Sequence, residues 1–257
     1  MVIICGDTQL RVQTPYYEAL LRFFSWCHEQ PWNVPENTFI HLGDFFDSSA
    51  LNGQLVSTAQ NIWSKIRCKK ILLEGNHDTS RRLGSALDFL KDQDVQVVQQ
   101  VYDTKIDNAR YLFLPHPRTR DIEEQYRSLT GKYDFVFGHF ATLPLFGHEI
   151  ALNEDLEYRH RLFGHVHIPD KNDPVYLGVP VAQAYGEDSF THKLACIDHG
   201  VLSYLDIPSF LEFKTVSYAA TDRLESEVDN VFFVYDIIDA PSVKLAYEKF
   251  GNVPIDR

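Results

Sequence analysis

The stretch Thr38-Phe-Ile-His-Leu-Gly-Asp-Phe-Phe-Asp47 joins a short apolar run to a glycine and two carboxylates. The run over residues 38–42 does not alternate with polar residues, which is typical of a strand covered on both faces. The glycine lets the chain turn sharply where this strand ends. In layered α/β proteins, ligands bind at the carboxyl ends of the strands. The stretch therefore predicts a central buried strand that ends at a polar site.

Strands and helices alternate on either side of this stretch. Further strands are predicted over residues 2–5, 70–73, 95–98, 110–114 and 133–137, and helices over residues 15–29, 51–67, 85–91 and 121–129. The helix over 15–29 is expected to be capped by Thr14, with Pro15 at its first position. This alternation predicts a layered α/β core.

The pattern changes after Arg159. Strand-like segments then follow one another over residues 161–163, 174–177, 193–198, 202–207 and 212–216. They predict a second, more antiparallel sheet. The tail adds a strand over 231–236 and a helix over 242–250. We expect a catalytic domain over residues 1–210 and a small C-terminal appendage over 211–257.

The composition limits the class of protein. The chain has 257 residues and 44% hydrophobic residues, enough for a sizeable core. No apolar run approaches the roughly 18–20 residues of a membrane span, and the N-terminus lacks the features of a signal peptide, so a cytoplasmic location is expected. The four cysteines form no CxxC pair. The net charge of −12 is unusual for a protein that binds nucleic acid by itself.

Five polar clusters each follow an apolar strand. They are Gly6-Asp-Thr-Gln9, Gly43-Asp-Phe-Phe-Asp47, Gly75-Asn-His-Asp78, Gly138-His139 and Gly164-His-Val-His167. In extended chain, residues two apart point to the same side, so both members of Asp7/Gln9 and of His165/His167 can reach one centre. A single aspartate after a strand is usually a cap or a turn residue, but five clusters in this order indicate one shared site.

The side chains of these clusters offer carboxylate, amide and imidazole donors. Such mixed sets suit Mn²⁺, Fe²⁺ or Zn²⁺ better than Mg²⁺ or Ca²⁺. Two ions roughly 3.5–4 Å apart can hold a phosphoryl group for in-line attack. A bridging carboxylate is then needed, and Asp44, first in its cluster after the central strand, is predicted to provide it.

The clusters resemble the pattern of the calcineurin-like metallophosphoesterases, which reads D-x-H, G-D-x-x-D, G-N-H-[DE], G-H and G-H-x-H. The resemblance covers about residues 2–198. It implies a four-layer α-β-β-α sandwich of two mixed sheets flanked by helices, and a metal-dependent phosphoester hydrolase. Within the family the chain looks most similar to SbcD-like DNA repair nuclease subunits, on the segments Leu42-Gly-Asp-Phe-Phe-Asp47, Glu74-Gly-Asn-His-Asp-Thr79, Tyr176-Leu-Gly-Val-Pro180 and Gly186-Glu187.

The resemblance also implies a role for each matching residue. Asp7 and His167 would bind the first ion and Asp44 would bridge, while the second ion would be completed by Asn76, His139 and His165. His77 would face the phosphate and protonate the leaving oxygen. Asp47 would accept a hydrogen bond from His77 and favour its protonated form. A metal-bound hydroxide would be the nucleophile.

Gln9 departs from the family pattern, which has a histidine at this position. An amide oxygen is a neutral and weaker ligand than imidazole. The departure predicts a first site that binds its ion more weakly than in a Gln9→His variant, which a metal titration measures. It also favours an oxygen-loving ion, so that Mn²⁺ is the expected metal, with Fe²⁺ and Zn²⁺ as alternatives.

Two other features allow more than one interpretation. Arg81 and Arg82 follow the Gly75–Asp78 cluster and either bind substrate phosphate or form a solvated loop pair. His116, in a Pro-His-Pro segment after a strand, is interpreted as a loop residue and not as a ligand.

Three functions remain open from the sequence. The first is a phosphodiesterase or nuclease acting on DNA with an SbcC-like ATPase partner, for which a homodimer is a candidate assembly. The second is a phosphoesterase for a nucleotide, a cyclic nucleotide or a phosphoprotein, which suits the acidic charge. The third is a catalytically weakened scaffold in which Gln9 marks loss of the site.

Overall fold

The computed structural model describes residues 1–80, 82, 84–142, 150–184, 186–217, 219, 224–238, 249 and 254. Within them the strands are β1 (Val2–Cys5), β2 (Thr38–His41), β3 (Lys69–Leu73), β4 (Thr79–Ser80), β5 (Gly84–Ser85), β6 (Val95–Val98), β7 (Tyr102–Ile106), β8 (Ala109–Leu114), β9 (Gly131–His139), β10 (Leu156–Gly164), β11 (Val175–Tyr176), β12 (Lys193–Asp198), β13 (Val201–Asp206), β14 (Leu211–Ser217), β15 (Glu227–Val228) and β16 (Val231–Ile238). The α-helices are α1 (Tyr16–Glu29), α2 (Gly53–Lys65) and α3 (Arg120–Ser128), and the 3₁₀ helices are Asp88–Gln93 and Glu187–Ser189.

The first sheet has the strand order β13-β12-β1-β2-β3-β6. Its strands β1, β2, β3 and β6 are parallel to one another, whereas β12 and β13 are antiparallel to their neighbours. Every residue of β1 and β2 is buried, as expected for strands covered on both faces. The predicted central strand over residues 38–42 is therefore confirmed, one residue shorter at its end.

The second sheet has the order β11-β10-β9-β8-β7 and is mostly parallel. The prediction that the strands after Arg159 form a second, more antiparallel sheet was wrong. β10 begins at Leu156 and pairs in parallel with β9, while β12 and β13 return to the first sheet. Strand direction depends on where the connections run, which the local pattern does not encode. β7 was missed because its half-exposed residues, Tyr102–Ile106, carry little apolar signal.

Three apolar clusters separate four layers. Between the two sheets, Ile4 of β1 and Leu42 just after β2 pack with Phe113 and Phe137 of the second sheet. The opposite face of the first sheet packs on α1 and α2, which contribute residues such as Trp63. The outer face of the second sheet packs on α3 through a separate cluster. The predicted α-β-β-α sandwich is thus confirmed, and burial of each large side chain contributes roughly 1.5–3 kcal/mol.

The helix ends differ in detail from the prediction. α1 begins at Tyr16, and Pro15 occupies its N-cap position without a side-chain hydrogen bond, so the expected capping by Thr14 was wrong. α2 begins at Gly53 because the side chain of Asn52 accepts a hydrogen bond from the Leu55 amide. The helix predicted over residues 85–91 is instead the 3₁₀ helix Asp88–Gln93. None of the described helices is long and apolar enough to cross a membrane.

A three-stranded sheet of order β14-β16-β15 follows the sandwich. Leu211 and Phe232 of this sheet belong to the same apolar cluster as Phe23 of α1. The helix predicted over residues 242–250 lies, apart from Lys249, outside the described residues. The boundary between residues 1–210 and 211–257 stays a prediction.

Candidate metal centre

The carboxyl ends of β1, β2, β9 and β10 lie together where the two sheets meet. His139 at the end of β9 donates a hydrogen bond from Nδ1 to the Leu42 carbonyl just after β2, at 2.7 Å. The His165 amide after β10 donates to the Asp7 carboxylate after β1, at 2.9 and 3.1 Å. These two bonds cross from one sheet to the other, so the polar clusters of both sheets share one site.

Small residues and strained residues make this close approach possible. A Cβ on Gly164 would lie 2.5 Å from Asp7 Oδ1, and a Cβ on Gly75 would overlap the carboxylate and amide of Asp44. Gln9, Asp44 and His165 adopt positive φ angles of 40°, 49° and 78°. Such conformations cost non-glycine residues about 1–3 kcal/mol each and are concentrated at functional sites. The positive φ angles of these three residues are therefore imposed by the contacts of the site and not by their own conformational preferences.

Asp44, Asn76, His139 and His165 form a compact donor group. Nε2 of His139 lies 3.2 Å from Asp44 Oδ2 and 3.2 Å from Asn76 Oδ1, and Nδ1 of His165 lies 2.9 Å from Asn76 Oδ1. One ligand atom each from Asp44, His139 and His165 lie within 4.8 Å of one another. This is the second-ion group of the sequence prediction, brought together from three loops and two sheets.

The chemistry of this group fits a divalent cation. Because His139 already donates from Nδ1 to a carbonyl, its Nε2 lone pair faces two oxygens unless a proton or a cation lies between them. Burial disfavours the imidazolium, yet the carboxylates of Asp44 and Asp7 outweigh burial and raise the pKa of His139 to about 10. The pocket therefore favours positive charge at the point where the ligand atoms meet.

Asp7, Gln9 and His167 form a second, looser group. Asp7 is buried, and this burial raises its pKa to about 7. Nε2 of His167 lies 4.0 Å from Asp7 Oδ2 and 3.2 Å from the Gln9 amide nitrogen. In this arrangement Gln9 donates to the lone pair with which His167 would bind a metal. Coordination by Gln9 requires its amide to rotate and present oxygen.

His77 lies at the mouth of the site, with 41% of its side chain exposed. Its Nε2 is 4.0 Å from Asp44 Oδ2, and its Nδ1 donates to the backbone carbonyl of Asp47 at 2.8 Å. The prediction that the Asp47 carboxylate accepts this bond was wrong. That carboxylate turns away and pairs with Arg11 at 3.2 Å, because the chain leaves the strand end with its carbonyl directed at His77.

Three residues beside the site have contacts that the sequence did not predict. Glu187 accepts a hydrogen bond from Nδ1 of His167 at 3.1 Å. Arg11 holds Asp47 and also donates to the Gln183 carbonyl at 3.3 Å. Asp78 accepts hydrogen bonds from three amides, those of Phe45, Phe46 and Gly75, and so ties two of the polar loops together. Asp78 stood within a predicted polar cluster and Glu187 within a segment of the family resemblance, whereas no motif included Arg11.

His116 and Arg82 are the other residues of the sequence analysis that the structure describes near the site. The ring of His116 lies 6.4 Å, centre to centre, from the rings of both His139 and His165, so this loop residue borders the donor group. Burial lowers the pKa of His116 to about 4, which keeps it neutral at pH 7. Arg82 is exposed, and Arg81 lies outside the described residues.

Two solved structures resemble the fold. A structure reported as a novel archaeal phosphodiesterase is 16% identical, with a TM-score of 0.44, over 80% of this chain and 99% of that chain. A protein of unknown function from Aquifex aeolicus is 20% identical, with a TM-score of 0.33, over 62% of this chain and 87% of that chain. No curated protein matches the chain.

The sequence match is more informative than these structural similarities. Residues 1–169 match the family described as calcineurin-like phosphoesterase, and they include every polar cluster of the site. This match spans more than half of the 257 residues. The chain is therefore a member of the calcineurin-like phosphoesterase family of metal-dependent phosphoester hydrolases.

Proposed function

We propose that this protein is a phosphodiesterase that uses two divalent ions and acts on nucleic acid. The observation that carries the proposal is that two donor groups lie next to each other, since Nδ1 of His139 is 4.0 Å from Asp7 Oδ1. One group is formed by Asp7, Gln9 and His167, and the other by Asp44, Asn76, His139 and His165. A bridging role for Asp44 is supported by two contacts: its carbonyl accepts a hydrogen bond from the Gln9 amide at 2.9 Å, and its Oδ2 lies 3.2 Å from Nε2 of His139.

When bound, the two ions would lower the pKa of coordinated water and neutralise charge on the phosphoryl oxygens. The protein's own contribution is to hold the donors in place. Asp44 is fixed by its Oδ1, which accepts a hydrogen bond from the His77 amide at 2.8 Å. Asn76 lies between His139 and His165 with its oxygen directed at both. These contacts orient the ligands before substrate arrives.

His77 is the residue best placed to act on the leaving group. The Asp47 carbonyl holds its Nδ1–H, which leaves Nε2 directed toward Asp44 and the open side of the site. A proton on Nε2 can pass to the leaving oxygen as its bond to phosphorus breaks, which lowers the barrier for alkoxide leaving groups. This role requires no contact from the Asp47 carboxylate.

Mn²⁺ is the proposed metal, with Fe²⁺ and Zn²⁺ as alternatives. The second group offers two imidazoles, a carboxylate and an amide, a mixture that these ions accept. The first group replaces one imidazole with Gln9, which increases its share of oxygen donors once the amide rotates. A site richer in oxygen favours Mn²⁺ over Zn²⁺.

A nucleic acid substrate is supported by the resemblance to SbcD-like nucleases and by the exposed Arg82 beside the Gly75–Asp78 loop. The net charge of −12 provides no general attraction for DNA. An SbcC-like ATPase, or a second copy of this chain, would then provide the additional contacts with DNA. A cytoplasmic location goes with this role, since all four cysteines are free, as in reducing compartments.

The acidic charge favours a second candidate, a phosphodiesterase for a small nucleotide or cyclic nucleotide. A small diester needs no extended basic surface, because the ions alone can attract its single phosphate. The same donor groups and His77 would perform the hydrolysis.

A substrate panel separates these candidates. The full chain is assayed with Mn²⁺ on single-stranded DNA, duplex DNA, a cyclic nucleotide, bis-p-nitrophenyl phosphate and p-nitrophenyl phosphate, with a His77→Ala variant beside it. Cleavage of DNA that His77→Ala loses supports the first candidate. Turnover of the small diesters without any DNA cleavage supports the second. Turnover of the monoester alone contradicts both.

The Gln9→His variant tests the proposed weakness of the first site. Calorimetric titration of metal-free protein with Mn²⁺ should give one strong and one weak constant in the wild type. The variant should strengthen the weak constant alone. Equal constants in the wild type would contradict the proposed effect of Gln9.

A further inference from the structure

Glu187 lies on the outer side of His167 and makes a fixed set of contacts. Its Oε1 accepts a hydrogen bond from Nδ1 of His167 at 3.1 Å, and its Oε2 accepts from the amides of Gln183 and Ala184 at 2.6 and 3.2 Å. Only 12% of its side chain is exposed. All three of these partners are N–H groups, which is the surrounding of a carboxylate that only accepts hydrogen bonds.

These contacts decide which nitrogen of His167 carries the proton. A carboxylate oxygen can only accept, so Nδ1 of His167 must donate to Glu187. The lone pair of the neutral ring is then on Nε2, which faces Gln9 and Asp7. A hydrogen-bonded carboxylate behind a ligand histidine fixes the ring orientation and makes the ligand nitrogen more basic.

The segment that carries Glu187 is itself attached to the first donor group. Gln183 donates from its side chain to the Asp7 carbonyl at 3.4 Å, and its own carbonyl accepts a hydrogen bond from Arg11 at 3.3 Å. Through Gln183, the segment that carries Glu187 is therefore hydrogen-bonded to the loop after β1. His165 and His139, in the other donor group, have different partners, Asn76 and the Leu42 carbonyl.

We propose that Glu187 is a positioning residue that holds His167 as the ligand of the first ion and so sustains a site weakened by Gln9. This inference rests on the two-ion function proposed above. Because Gln9 is a neutral amide, the first ion depends on Asp7, Asp44 and His167 for its affinity. Removal of Glu187 should weaken the first ion and leave the second unchanged.

The test uses metal-free, full-length protein and Mn²⁺ alone. Calorimetry and electron paramagnetic resonance resolve the two binding constants in the wild type, Glu187→Gln and Glu187→Ala. The expected result is a loss of about 10–100-fold in the weaker constant for Glu187→Ala, with the stronger constant unchanged. Glu187→Gln keeps a neutral acceptor for His167 and should lose less. Addition of Gln9→His to Glu187→Gln should restore the weaker constant.

A matched control removes an equal charge elsewhere. Glu157 is exposed on β10 and pairs only with Lys132, at 3.4 Å, among its described ion pairs, so Glu157→Gln should leave both constants unchanged. A second measurement needs no metal: nitrogen chemical shifts of the His167 ring report its tautomer. The proton should lie on Nδ1 in the wild type and be shared between the two nitrogens in Glu187→Ala.

The outcomes separate this inference from the proposed function. A wild type that binds no Mn²⁺ overturns the two-ion function itself. Two constants in the wild type that Glu187→Ala leaves unchanged overturn only the role of Glu187. If both constants fall together, or if the His167 tautomer is unaffected in Glu187→Gln and Glu187→Ala alike, Glu187 supports the fold in general and the inference is wrong.

Discussion

Replacement of Asp47 should affect catalysis far less than replacement of His77. The backbone carbonyl of residue 47 accepts the hydrogen bond from His77, and this carbonyl remains in an Asp47→Ala variant. What the variant loses is the ion pair between Asp47 and Arg11, whose side chains are 39% and 21% exposed. Pairs this exposed contribute about 0–1 kcal/mol, which corresponds to a loss of at most about fivefold if all of it served catalysis.

His77→Ala removes the group proposed to protonate the leaving oxygen. Such groups contribute about 10²–10⁴-fold to the rate. The two variants should therefore differ by at least about twentyfold. The assay is kcat/KM for a dinucleotide phosphodiester, whose alkoxide leaving group needs a proton, compared with bis-p-nitrophenyl phosphate, whose leaving group hardly does. His77→Ala should lose most on the dinucleotide. If Asp47→Ala is as damaging as His77→Ala, the carboxylate acts on His77 directly and the reasoning is refuted.

Three further outcomes are expected. Gly75→Ala should weaken Mn²⁺ binding and lower the free energy of unfolding by about 1–3 kcal/mol in urea, because its Cβ would overlap Asp44; Gly53→Ala, with open space around it, should do neither. Mn²⁺ affinity should rise from pH 6 to pH 8 for two reasons. Asp7, with a pKa of about 7, loses its proton over this range, and the metal must displace the proton of His139, with a pKa of about 10, which becomes easier as the pH rises. Calorimetry in two buffers of different ionisation enthalpy should show proton release, and a flat pH dependence would argue against this linkage. Metal-free protein should unfold at a lower temperature than Mn²⁺-loaded protein, because cations neutralise the buried carboxylates of Asp7 and Asp44; identical melting temperatures would count against a metal at this position.

The polar clusters were recognisable from sequence because each one is local. An apolar strand, a glycine and a polar residue are adjacent in the chain, and parallel strands bring such ends to one edge. Asp7 and Gln9 illustrate this, since both join the first donor group. His165 and His167 instead join different groups, because His165 has a positive φ of 78° and is not extended as the spacing argument assumed. The role of these residues as metal ligands stays a prediction, which a crystal soaked in Mn²⁺ would test.

The contacts that support the clusters were not predictable in the same way. Glu187 is 20 residues after His167, and Arg11 is 36 residues before Asp47. No periodic pattern links such positions, because their proximity is created by the packing of two sheets. The Asp47 error had a different cause: spacing placed the right residue beside His77, but only the backbone geometry decides whether its carboxylate or its carbonyl makes the contact.

Strand direction after residue 159 was also beyond local reasoning. β10 and β12 both mix buried apolar residues with more exposed ones, yet β10 extends the second sheet in parallel and β12 joins the first sheet antiparallel to β1. The difference lies in the route of the connecting chain, which composition does not reveal.

The proposed function requires two cations to bind between the carboxyl ends of β1, β2, β9 and β10. A crystal soaked in Mn²⁺, with anomalous difference density collected at the manganese edge, tests it most directly. Two peaks are expected, one beside Asp7 and His167 and one beside His139 and His165, with Asp44 in contact with both. Anomalous density that is absent from this site, or that lies elsewhere on the molecule, would contradict it.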